Sequence, residues 1–156
     1  EHFTNAYSQK TETNPFYAKI ICGNCGSTYS RVKYTTRAGT AITKWRCGSC
    51  NKTNGHKICS NRYVTDETFK KLFVMSWNEV VMHQEEYQER WQENIKSEDV
   101  LLRYKTRLLM KHVATGEIKG FEPELMMAVM DHITVFEDGR LQILFYDGTE
   151  FEVETE

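Results

Sequence analysis

Hydrophobic and polar positions change their period three times along the chain. Residues 1–14 are rich in Thr, Asn, Ser and Gln with no sustained period, which predicts a linker or arm ended by Pro15. Residues 16–21 read as a short strand entering a cysteine turn. Residues 28–35 (Thr-Tyr-Ser-Arg-Val-Lys-Tyr-Thr) are β-branched and aromatic with rough alternation, which predicts a second strand. Residues 36–40, containing Gly39, form the tip of a hairpin, and residues 41–46 return as a third strand into Cys47. Residues 51–57 read as a polar loop around Asn54-Gly55.

The period becomes helical after Thr65, a plausible N-cap with Asp66 and Glu67 in the first turn, where the helix dipole favours acids. Apolar residues recur at Phe69, Leu72, Phe73, Trp77, Val80, Tyr87 and Trp91, with a gap at Gln84. The first half of this helix is expected to be the more buried. A second helix begins near Ser97, carries Leu101, Leu102, Leu108 and Leu109, and stops at Gly116. Pro123 suits the first turn of a third, short helix bearing Leu125, Met126, Val129 and Met130, whose methionines are expected to fill a core. The period then falls to two. Ile133 to Phe136, Leu141 to Phe145, and Phe151 with Val153 are separated by Asp138-Gly139 and Asp147-Gly148, the strongest short-range hairpin signals. This predicts a three-stranded meander. Its last strand carries Glu150, Glu152, Glu154 and Glu156, so one face must be solvated.

Charge divides the chain more sharply than its net value of -2 suggests. Residues 13–65 contain no Asp or Glu and nine bases: Lys19, Arg31, Lys33, Arg37, Lys44, Arg46, Lys52, Lys57 and Arg62. The remainder to residue 156 carries 20 acids and 10 bases. A +9 island beside an acidic body is the electrostatic footprint of a polyanion-binding module, although each base taken singly can be plain solvated charge. The chain has no run of 18 apolar residues, which argues against a membrane span, and its first residues lack the basic and apolar regions of a secretory signal.

All five cysteines lie in the same basic island. Clustering and odd number fit metal ligands in a reducing compartment better than a disulfide framework. Cys22-Gly23-Asn24-Cys25-Gly26 is a knuckle in which thiolates at i and i+3 can share one ion, with glycine allowing backbone amides to approach the sulfurs. Cys47, Cys50 and Cys59 then compete for two further places. Spacing alone favours Cys47 with Cys50, a second CxxC, and CxxC…CxxC around a hairpin is a strong zinc-ribbon signal. Neither CxxC opens a helix in a βαβ unit, as a thioredoxin-like redox pair would. Four thiolates would fill a tetrahedral shell around one structural Zn2+ and leave no place for a reactive water. They would reduce the island to about +7. His56 is an alternative ligand in a polar loop.

The expected fold class is therefore α+β: a small zinc β-ribbon followed by helices and a C-terminal three-stranded β-meander. The expected domains are a linker or arm from a preceding domain over 1–14, the ribbon over 15–65, a helical segment over 66–131, and a meander packing on the helices over 132–156.

The stretch Asn14-Pro15-Phe16-Tyr17-Ala18-Lys19-Ile20-Ile21-Cys22-Gly23-Asn24-Cys25-Gly26 resembles the entry to the zinc β-ribbon domain of large serine recombinases, the phage integrases and transposon resolvases. The likeness continues through Lys44-Trp45-Arg46-Cys47, Cys59-Ser60-Asn61-Arg62-Tyr63-Val64-Thr65, Phe73-Val74-Met75-Ser76-Trp77-Asn78 and Leu102-Arg103-Tyr104-Lys105. It closes with Asp131 to Arg140 and Asp147-Gly148-Thr149-Glu150, so it runs from about Asn14 to Val153. The order and spacing of these stretches are more specific than any one of them.

The resemblance implies Cys22, Cys25, Cys47 and Cys59 as the ligand set, with Cys50 as the alternative to Cys59. It implies recognition of half of a double-stranded DNA attachment site during integration or excision. Arg31, Lys33, Arg37, Lys44, Arg46, Lys52, Lys57 and Arg62 are the candidate DNA contacts, and Arg37 at the hairpin tip is the candidate base reader. It further implies a catalytic serine domain elsewhere in a parent recombinase and no catalytic residue in this chain. Recombinase protomers forming a tetramer are expected partners, with no membrane or small-molecule substrate, in a bacterial or phage-encoded, nucleoid-associated, cytoplasmic setting. Relatives project a long coiled coil from this domain. Residues 84–113 are too short and too irregular in Leu spacing for that, which implies a reduced or trimmed element. Two other classes fit the same residues: a zinc-ribbon module binding an acidic protein, and a redox or metal-transfer protein.

Overall fold

A computed structural model describes residues 14–50, 52–53, 56–57 and 59–155. Apart from Asn14, the expected arm over 1–14 lies outside the described residues. The chain is α+β. Its elements in order are β1 (Ile20–Cys22), β2 (Tyr29–Thr35), β3 (Ala41–Cys47), β4 (Lys52–Thr53), β5 (His56–Lys57) and β6 (Val64–Thr65). Helices α1 (Asp66–Met82), α2 (Gln84–Asn94), α3 (Val100–Val113) and α4 (Pro123–Val129) follow, then β7 (Met130–Val135), β8 (Arg140–Phe145) and β9 (Glu150–Glu154). The strands form a four-stranded sheet of order β1-β7-β8-β9, a three-stranded sheet β2-β3-β6, and the small pair β4-β5.

Several boundaries differ from the sequence expectation for local physical reasons. Residues 16–19 are a turn, because Lys19 N–H donates to the Phe16 carbonyl at 2.9 Å and Tyr17 N–H to that of Asn14 at 3.2 Å. The strand therefore starts at Ile20. The polar stretch after Cys50 contains a minimal hairpin, with Lys52 opposite Lys57 and Thr53 opposite His56. The long helix breaks at His83, whose backbone leaves helical geometry (φ −113, ψ 30) without a side-chain cap.

The polypeptide divides into two compact units. The first holds the described residues of Glu1–Lys70 together with His132–Gln142 and Glu152–Glu156. Its core is aromatic: Phe16, Trp45 and Phe69 meet pairwise at ring separations of 5.8 to 6.2 Å. Ile20, Tyr29, Val64, Ile133, Val135 and Leu141 are also buried in this unit. Trp45 Nε1 donates to Asp66 Oδ1 at 2.9 Å, so the indole is satisfied where its ring is fully enclosed. At the start of α1 the Thr65 hydroxyl accepts from Thr68 N–H at 3.3 Å, the cap that the sequence predicts.

The second unit comprises Lys71–Asp131 and Ile143–Phe151. Phe73 and Trp77 lie against Phe145, and Phe73 also against Phe121. Buried Asp147 organises the polar part of this unit. Its Oδ2 accepts from Trp91 Nε1 and from the Thr149 hydroxyl, each at 2.7 Å, and its Oδ1 accepts from Thr149 N–H at 3.0 Å. Asn94 adds a bond to the Asp147 carbonyl at 2.9 Å. Helix α3 starts at Asp99, which accepts from the amides of Leu101 and Leu102. Among the described residues no helix is long and apolar enough to cross a membrane.

Candidate functional site

The ends of β1 and β3 bring the two halves of the cysteine constellation together. Strand β1 pairs in parallel with β7, matching Ile20 with Ile133 and Cys22 with Val135, which fixes Cys22 at a sheet terminus. The knuckle is then tied down by Gly23 N–H donating to the Val135 carbonyl at 2.8 Å. A Cβ at Gly23 would lie 2.7 Å from the Phe136 ring, so only glycine permits this approach. Gly26 closes the knuckle with φ 77, a left-handed backbone that other residues adopt at a cost. On the other side, β3 pairs antiparallel with β2 and sets Cys47 opposite Tyr29. A short 3-10 turn, Gly48–Cys50, leads away from it, and Ser49 accepts at its carbonyl from Cys59 N–H at 3.1 Å.

The result is a four-sulfur cluster. The Sγ atoms of Cys22, Cys25, Cys47 and Cys59 all lie within 4.8 Å of one another. Cys22 and Cys59 are separated by 3.8 Å, and Cys25 and Cys47 by 3.4 Å. A tetrahedral ion with Zn–S bonds of about 2.3 Å demands sulfur–sulfur edges of about 3.8 Å. The four residues therefore fit one such ion, and a complete sulfur shell offers no open coordination position. Cys22, Cys47 and Cys59 are buried, whereas Cys25 is exposed. Cys50 is placed otherwise: its buried thiol donates to the Asn61 carbonyl at 3.7 Å.

Electrostatics around the cluster follow from its sulfurs. Hydrogen bonds from the Ser27 side chain and backbone hold the Cys25 thiol down at about 6, while burial pushes Cys47 well above the usual thiol range. Burial, and then the charge of Cys22 and Cys47, raise the Tyr29 phenol, which donates to the Arg62 carbonyl at 2.9 Å. A divalent cation among the sulfurs would offset the like charges that otherwise favour protons there.

Polar groups outside the four thiols orient them. Buried Asn61 donates through Nδ2 to Cys22 Sγ at 3.1 Å and to the Val135 carbonyl at 2.9 Å, and its Oδ1 accepts from Arg62 N–H at 2.7 Å. One side chain thereby links a candidate ligand to β7. Asn24 N–H and Ser49 N–H point at Cys22 and Cys47 Sγ, each at 3.4 Å, and the Ser27 and Ser49 hydroxyls meet at 2.6 Å. Sequence reasoning assigned no role to Asn61. The available signal was its place two residues after Cys59, where a carboxamide can serve two partners.

The candidate DNA contacts are distributed over the ribbon rather than gathered on one face. Lys33 and Arg37 are exposed on β2 and at the hairpin tip. Arg31, opposite Trp45 in the register, lines a cleft of about 190 Å³ with Tyr17, Tyr29 and Trp45. Lys44 and Arg46 share the other face of β3, opposite Val32 and Ser30. Arg62 packs its guanidinium against the Gly139 turn, where an added Cβ would lie 2.6 Å from its Nη1. The side chains of Lys52, His56 and Lys57 lie outside the described residues.

On the Lys44–Arg46 face stands a tyrosine pair that charge counting overlooked. The rings of Tyr34 and Tyr63 stack at 6.2 Å, and both are exposed, at 38% and 45%. The Tyr34 phenol is pushed up, first by neighbouring Tyr63, and the Tyr63 phenol is held down, first by Tyr34. Nearby Arg46 acts to lower both phenols.

Comparison with known proteins meets this geometry from outside. Residues 15–78 match the family described as "Recombinase zinc beta ribbon domain". The solved structure "Crystal Structure of a LSR-DNA Complex" shares the fold over 88% of the chain, with a TM-score of 0.60 at 12% identity. The chain spans 57% of that structure's chain. No curated protein matches.

Proposed function

We propose that the recombinase-type zinc ribbon of residues 15–78 makes this chain a duplex-DNA-binding part of a site-specific large serine recombinase, one that recognises half of an attachment site during integration or excision. The observation that carries the reading is the coincidence, in one ribbon, of a four-sulfur cage with a +9 stretch free of acids. The fold is shared with a solved LSR-DNA complex, which supports the same reading.

In this reading Cys22, Cys25, Cys47 and Cys59 hold a structural Zn2+. The ion supplies folding free energy and no chemistry, because the ribbon is too small to be stabilised by its own core. The protein's residues do the rest. Asn61 orients Cys22, the stiffened β2–β3 hairpin enters the major groove, and most basic side chains along it meet phosphates while two or three read base edges. Strand exchange belongs to a serine domain elsewhere in the parent protein, which acts as a tetramer inside the cell. The acidic helical segment repels phosphate and serves contacts with protein.

The test is a binding isotherm on duplex DNA from the ends of the chain's own mobile element. Charge reversal of Arg37 and Lys44 together should weaken binding and flatten its dependence on salt. Unchanged affinity on that DNA would remove both residues from the interface. Binding to an acidic protein, with none to DNA at any salt, would favour the interaction-module reading instead.

A further inference from the structure

The three-stranded sheet β2-β3-β6 has a buried side, around Trp45, and an outward side. The register puts Ser30 opposite Arg46, Val32 opposite Lys44, and Lys44 opposite Thr65, so these residues share the outward side. Tyr34 follows two residues after Val32, and Tyr63 immediately precedes Val64, the partner of Trp45. Their rings stack with one another above this side, which they share with Arg46 and Lys44. Arg46 Nε is itself buried and makes no hydrogen bond among the described residues. Two exposed phenols and a guanidinium therefore share one side of the ribbon, in a stretch of chain with no carboxylate from residue 13 to residue 65.

We propose that Tyr34, Tyr63 and Arg46 form a seat for one backbone phosphate of duplex DNA on the outward side of the ribbon. This rests on the DNA-binding reading above and adds residues that a count of charges does not find. A phosphate oxygen accepts from phenols and from guanidinium forks alike. The stacked rings are rigid and already placed, so little side-chain entropy is lost when an anion docks. Lys44, on the same side, supplies further cationic field. A cationic stretch without carboxylates attracts a polyanion, and duplex DNA is the polyanion that the ribbon's match points to.

The experiment uses the zinc-loaded chain and a fluorescently labelled mixed-sequence duplex, with affinity followed from about 50 to 200 mM salt. The double variant Tyr34→Phe, Tyr63→Phe keeps the rings and removes the hydroxyls. It should bind about tenfold more weakly. Because no cation is removed, the slope of affinity against salt should not change. Lys44→Gln should instead lower that slope by about one. A merely structural role for the tyrosines would not produce this split. A second readout needs no variant: DNA should protect Tyr34 and Tyr63 from nitration while exposed Tyr104 still reacts. Binding by the double variant equal to that of the parent chain, or nitration of both tyrosines undiminished by DNA, overturns the phosphate seat and leaves the ribbon's DNA binding intact. Failure of the parent chain itself to bind the duplex overturns both.

Discussion

Exchanging single cysteines separates the two possible ligand sets by orders of magnitude. Cys59 Sγ lies 3.8 Å from Cys22 Sγ, inside the cage, whereas Cys50 is turned toward the Asn61 carbonyl. Structural Zn2+ binding in small domains is worth about 10–16 kcal/mol for a full ligand set. One thiolate among four then accounts for roughly 3–4 kcal/mol, or about two to three decades in affinity. Cys59→Ser should lose zinc by that factor in competition with a chromophoric chelator, and the ribbon should unfold at chelator levels that leave the parent chain loaded. Cys50→Ser removes only a weak S–H donor that lies outside the four-sulfur cluster. It should keep one zinc per chain and nearly the same affinity. Retained zinc in Cys59→Ser together with loss in Cys50→Ser would refute the assignment and restore the CxxC pair that spacing favours.

Asn61→Ala removes the donor shared by Cys22 Sγ and the Val135 carbonyl, and should cost about 10- to 100-fold in zinc affinity by the same chelator assay. Asp147→Ala leaves the Trp91 indole and the Thr149 hydroxyl without their acceptor, so denaturant unfolding should show a loss of about 2–4 kcal/mol, while zinc affinity stays as it was. Asp138 is held below its ordinary value of 3.8, first by Arg140 N–H and then by the Arg140 guanidinium at 2.7 Å. Its contribution to the β7–β8 turn is therefore complete above the unfolded value and is lost as pH falls through the lower folded one. An NMR titration should place its midpoint below 3.8, and Arg140→Gln should move it up.

Local signals were legible wherever one short stretch decides the outcome. Pro123 opens α4, Thr65 caps α1, and two Asp-Gly turns separate β7, β8 and β9. The last strand alternates exposed glutamates with half-buried Phe151 and Val153. Non-local pairings were not legible. The parallel match of β1 with β7 joins residues more than a hundred positions apart, and no pattern near Ile20 announces its partner. The break at His83 has no capping residue to signal it.

The same division runs through the candidate site. CxxC spacing located the knuckle at Cys22 and Cys25, but spacing alone favoured Cys50 because it cannot see the turn Gly48–Cys50 that carries that thiol away. The family resemblance pointed to Cys59 instead. Charge counting found a basic ribbon, yet could not tell that Arg62 packs on the Gly139 turn while Lys44 and Arg46 share a face with two tyrosines. A side chain's strand face follows from register, and register depends on partners elsewhere in the sequence.

The most direct measurement is DNA affinity of one sample before and after zinc removal, recorded together with its metal content. If the ion stiffens a DNA-binding ribbon, the sample holds one zinc per chain, binds duplex with an affinity that falls steeply with salt, loses that binding when a chelator strips the ion, and regains it when zinc is returned. A folded chain that binds the same duplex equally well without the metal would contradict it.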